Sequence, residues 1–178
     1  MRTTLVENYH TIESKCSNLM SMDLTLLNSD ITREWNRCSL TSNFFSLFQI
    51  EDEKIINSLS TIVNEFLENM VRFSIIDHNK IDLTLKKENN TVYIKFNSLL
   101  THKSAKRFNE ILMSNEAKTL DQTIESLKSD NFESNDLLLL NTLTLIHVYN
   151  MTLGCKMIDK GQVKDVSFLL SINLKEVK

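Results

Sequence analysis

The sequence predicts an α+β fold: a two-layer sandwich, with helices packed on one face of a mixed, mostly antiparallel sheet. Three observations carry this. Over 52–74, Ile55, Ile56, Leu59, Ile62, Val63, Phe66, Leu67, Met70 and Phe73 recur at three- and four-residue steps, the period of an amphipathic helix. Two alternating stretches, 81–85 and 92–96, flank Glu88, Asn89 and Asn90 and read as a β-hairpin. Stretches 155–158 and 163–174 read as a closing hairpin, with its turn at Asp159, Lys160, Gly161 and Gln162.

The remaining elements follow in order. Residues 5–28 read as one helix, with Leu5, Ile12, Leu19, Met22 and Leu26 among its apolar positions. A helical extension over 1–32 is thus expected ahead of a domain over 33–178. Trp35 stands in a polar stretch, and Phe44, Phe45, Leu47 and Phe48 suit a helical turn or a buried strand equally. Asp52 and Glu53 fit the first turn of the 52–74 helix, where the dipole favours negative charge. Asp77, His78 and Asn79 read as a turn. Two further helices are expected at 103–114 and 117–128, then a polar loop at 129–135. The stretch 137–151 is apolar nearly all round, which predicts a helix buried on most sides.

The totals exclude several classes. A chain of 178 residues suits one domain, and 42% hydrophobic with 24% charged residues is ordinary for a globular protein. A net charge of −3 is not the footprint of a nucleic-acid binder. No apolar run approaches the roughly 20 residues of a membrane span. Met1 to His10 lacks a basic region followed by an apolar one, so a cytoplasmic location is expected. Cys16, Cys38 and Cys155 are too few and too scattered for a disulfide framework or zinc site, and read as small buried hydrophobes. The formal glycosylation sequons at Asn89 and Asn150 carry no weight without a secretory signal.

Within the long helix, Glu65, Asn69 and Arg72 are spaced i, i+4, i+7 and share one stripe beside the apolar face. A carboxylate, a carboxamide and a cation so placed suit a metal–phosphate site, since Asn ligates magnesium and Glu can act as a base. Spacing alone favours a plainer reading, a solvated edge with a weak ion network among Glu65, Glu68 and Arg72.

The stretch 62–74, with Glu65, Asn69 and Arg72, resembles the N-box of the gyrase, heat-shock chaperone, histidine-kinase and MutL (GHKL) ATPase superfamily. The order of the following hairpin, buried helix and final hairpin agrees with that resemblance. The stretches 35–44 and 140–154 are similar to segments of small anti-sigma-kinase-like regulators known mainly from cyanobacteria. The resemblance implies a sandwich of GHKL ATPase type, with Glu65 as a general base, Asn69 as the magnesium ligand and Arg72 as a neighbouring cation. It also implies Mg-ATP as the cofactor wherever activity is retained.

The departures from that pattern decide the functional expectation. Where the superfamily has an aspartate that reads adenine, followed by glycines, this chain has Asn97, Ser98, Leu99 and Leu100. Asn97 keeps one hydrogen-bond acceptor and no charge. Where a glycine-rich lid is expected, the chain has Glu133, Ser134, Asn135, Asp136 and Leu137, whose acids repel phosphate. The chain has no proline and two glycines, Gly154 and Gly161, both in the last hairpin. Phosphate loops need glycine where the backbone approaches the oxygens closely. The expected protein is therefore a degenerate, non-catalytic signalling regulator, without cofactor, that binds an anti-anti-sigma-like, receiver or kinase domain. The alternative is an atypical ATP-dependent serine kinase of an anti-anti-sigma-like partner. The place beside Asn69 is either open and lined by polar groups or filled by side chains such as Leu99 and Leu137. His10 is a minor candidate phospho-acceptor, a homodimer through the first helix is plausible, and His147 reads as a hydrogen-bonded core histidine.

Overall fold

The computed structural model describes residues 3–5, 8–16, 21–27, 50, 52–73, 80–117 and 134–177, with 3–5, 111–117 and 134–140 as backbone. In chain order the elements are β1 (Thr3–Leu5), α1 (Tyr9–Cys16), β2 (Ser21–Leu27) and α2 (Glu53–Phe73). There follow β3 (Lys80–Glu88), β4 (Thr91–Thr101), α3 (His102–Ala117), α4 (Ser134–Val148), β5 (Thr152–Asp159) and β6 (Val163–Asn173). The six strands form one sheet in the order β1-β5-β6-β4-β3-β2. Every described pairing is antiparallel, so the mixed sheet expected from the sequence is wholly antiparallel among the described residues.

Local chemistry starts and stops these elements. The Asp52 carboxylate accepts the backbone N–H of Lys54 at 2.9 Å and caps α2. Asn89 takes φ 51° in the β3–β4 turn, a left-handed conformation that asparagine tolerates. Thr101 caps α3 by accepting the Ser104 N–H at 2.9 Å. Asn150, at φ 46°, ends α4, and the Met151 N–H closes back on the Ile146 carbonyl at 2.8 Å, a Schellman-type stop. Gly161 supplies φ 85° in the last turn.

The main core lies between the sheet and α2, α3 and α4. Leu59, Ile62, Val63, Phe66, Leu67 and Met70 of α2 meet Leu83, Leu85, Ile94, Phe96, Phe168 and Leu170 of the strands. Phe66 stacks on Phe96 with ring centroids 5.2 Å apart, and Phe108 joins Phe73 to Phe168 at 4.6 and 5.0 Å. This α+β, two-layer arrangement is the one the alternating strands and the periodic helix predict.

The N-terminal region departs from expectation. Residues 5–28 are not one helix: they hold α1 and β2, and β1 ends at Leu5. The stretch expected to form a helical extension supplies both edge strands of the sheet. In β2 the half-buried residues are Met22, Leu24 and Leu26, a period of two. Met22 and Leu26 are also four apart, so they fit a helix equally well; Leu24 separates the two readings.

The helices do not all share one face. Tyr9, Ile12 and Cys16 of α1 pack on Tyr93 and Leu169, which point away from α2. Gly154 on β5 allows this contact. A Cβ added there would lie 2.5 Å from the Tyr9 Cα, so only glycine lets the start of α1 approach this closely. The buried thiols of Cys16 and Cys155 behave as small hydrophobes, and burial pushes Cys155 up to about 12.

The helix α4 is less enclosed than its composition suggests. Thr142 and Leu143 are buried, whereas Asn141, Thr144, His147 and Val148 are exposed. His147 is therefore not a core histidine. An apolar sequence on every side does not reveal which side meets the core. The expected segments at 28–49, the turn at 77–79 and all but the first residue of the helix expected at 117–128 lie outside the described residues.

Candidate functional site

The stripe Glu65, Asn69, Arg72 forms as predicted, because the apolar positions of α2 fix its rotation against the sheet. The three side chains meet different fates. Asn69 is 1% exposed. Its amide nitrogen donates to the Glu65 backbone carbonyl at 3.0 Å and to the Thr142 hydroxyl on α4. Thr142 is itself 3% exposed, so this bond is buried in the contact between the two helices. A magnesium ligand must offer its amide oxygen to an open coordination site. Here the carboxamide holds two helices together.

Arg72 turns to its own helix. Its guanidinium donates to the Glu68 carboxylate at 2.7 Å, with the two side chains 52% and 46% exposed. That is a surface i,i+4 pair, the plainer reading given by its spacing. Glu65 is half-buried, and burial first, then Glu68, holds its carboxyl above the usual 4.5. A raised carboxyl suits a general base. Partial burial beside another acid raises it equally without any catalytic purpose.

Asn97 does not join this group. Phe96 stacks on α2, so its neighbour Asn97 points to the opposite face of the sheet, where its side-chain oxygen accepts the Ser167 hydroxyl at 2.6 Å. The residue that faces α2 at this end of β4 is Ser98, which is buried. The alternation carries that signal: counting in twos from Ile94 and Phe96 reaches Ser98 and not Asn97. Leu99 shares the outward face of Asn97, is 39% exposed, and does not fill the space beside Asn69. Thr142 is the side chain that meets Asn69 there. The side chains of Asp136 and Leu137, and all of Glu133 and the 35–44 segment, lie outside the described residues.

These positions do not fit a magnesium–triphosphate group. The side chain that would hold the metal is buried between two helices, and the adenine-reading candidate lies on the far side of the sheet. Among the described residues, no three His, Cys, Asp or Glu side chains converge to hold a metal ion. No described helix is long and apolar enough to cross a membrane. His10, on α1, is solvent-exposed and 3.9 Å from Glu13. The sequence matches no protein-family model, and a search of curated proteins finds no relative.

Proposed function

We propose that this chain is a degenerate GHKL-type regulator that works in the cytoplasm by binding a signalling protein and not by turning over ATP. The single observation behind this reading is the buried hydrogen bond from Asn69 to Thr142. It draws the amide nitrogen of the N-box residue into the packing of two helices, where the side chain is buried. The element order supports the kinship: a long helix, a hairpin, helices and a closing hairpin follow one another as the resemblance implies. Fold survival without the ancestral chemistry is common, so the site and not the fold decides the activity. The partner class is an anti-anti-sigma-like, receiver or kinase domain. Calorimetric titration with Mg-ATP tests the reading: no heat of binding is expected up to about 1 mM, the weak end of the affinity scale. Micromolar affinity that Asn69→Ala abolishes is the opposing result.

Glu65 favours a second reading, an atypical serine kinase. It is half-buried and holds its proton more tightly than an ordinary glutamate. That reading requires phosphate transfer from labelled ATP to a partner protein, lost in Glu65→Ala.

A further inference from the structure

The sheet face opposite α2 carries a feature unrelated to the helix stripe. Among the described residues, the short helix α1 covers only part of that face. Between α1 and the strands β3 and β4 lies a groove of about 580 Å³. Small-molecule sites span roughly 300–1,000 Å³. The floor is apolar, formed by Cys16, Tyr93 and Leu169, all buried.

Charge is concentrated at its edge. The Lys95 ammonium lies 3.8 Å from the Glu13 carboxylate, too far for a hydrogen bond, and 5.9 Å from the centre of the Tyr9 ring. Its side chain is 32% exposed. The Lys86 ammonium donates to the Cys16 carbonyl at 2.9 Å, which fixes a second positive charge at the last turn of α1. Two ammonium groups thus face one carboxylate, with His10 at the rim. Asp23, on the next strand out, accepts the hydroxyls of Ser21 and Thr84.

We propose that this groove binds a small amphipathic organic anion. An aromatic or aliphatic body rests on Tyr93 and Leu169, and the acidic head bonds Lys95. The loose contact with Glu13 gives way to a shorter, charge-assisted hydrogen bond. Lys86 adds to the positive field without needing to touch the ligand. An apolar floor with a few convergent polar groups is the general anatomy of a small-molecule site. The groove shares no residue with Glu65 or Asn69, so its failure and that of the regulator reading are independent.

The test uses the full chain and the fluorescent anion anilinonaphthalene sulfonate as the probe. A titration followed by displacement compares phenylpropionate with phenylpropanol, which has the same body and no charge. One saturable site is expected, with the acid displacing the probe at concentrations at least about tenfold below the alcohol, as a charged contact at a partly buried site implies. Lys95→Met weakens probe binding about tenfold, since a charge-assisted hydrogen bond is lost. Lys95→Arg retains it, Lys80→Met outside the groove leaves it unchanged, and Thr84→Trp blocks it. Equal displacement by acid and alcohol, indifference to both Lys95→Met and Thr84→Trp, or an absence of saturable binding overturns the proposal.

Discussion

The side-chain amide of Asn69 donates to the hydroxyl of Thr142, joining α2 to α4 inside the core. Both partners are buried, so water does not readily replace the bond when it breaks. This one contact makes the most suggestive residue of the sequence a link between two helices.

Replacing Thr142 by Val keeps the shape and removes the acceptor. The Asn69 amide then loses a buried partner, and Thr142→Val is expected to lower stability by about 1–3 kcal/mol. Urea unfolding measures the loss. Pairing it with Asn69→Leu should cost less than the two single changes summed, because one bond is lost in each.

Gly154 is required by the close approach of Tyr9. In Gly154→Ala the new methyl meets the backbone of α1, which has little freedom to yield. Overpacking of this kind costs about 1–3 kcal/mol. The accompanying signature is earlier loss of α1, read as faster amide exchange at Ile12 and Cys16 than in the wild type.

Arg72 makes a contrast. Its pair with Glu68 is about half exposed, and such pairs contribute little. Arg72→Ala is expected to change stability by less than about 0.5 kcal/mol. A larger loss in the same unfolding experiment argues for a role that this geometry does not provide.

Glu65 gives a pH signature. Burial first and Glu68 second raise its carboxyl above 4.5 in the folded chain. The folded state therefore binds the proton more tightly than the unfolded state. The stabilisation is fully present below the unfolded value and is lost as pH rises through the folded value. Glu65→Gln stays neutral throughout, so its stability relative to the wild type should improve as pH rises from about 4 to about 7. A difference that stays flat across that range contradicts the assignment.

The fold was legible where one period stood alone. α2 and the two hairpins carry unambiguous spacing, and their registers follow from it. β2 was hidden because Met22 and Leu26 satisfy both the helical and the extended period. In α4, apolar residues on every side give no direction, and the exposure of His147 and Val148 depends on its neighbours. The site was half legible. Spacing put Glu65, Asn69 and Arg72 on one stripe but could not say that Asn69 faces a threonine 73 residues away. Such tertiary partners leave no local trace. Asn97 is different, since strand parity alone assigns it to the far face.

The most direct test follows the Asn69 side-chain amide by nuclear magnetic resonance during a Mg-ATP titration. Two amide protons protected from exchange are expected, at resonances that stay fixed throughout the titration and shift in Thr142→Val. Resonances that move saturably with Mg-ATP, in an amide that exchanges freely beforehand, would contradict it.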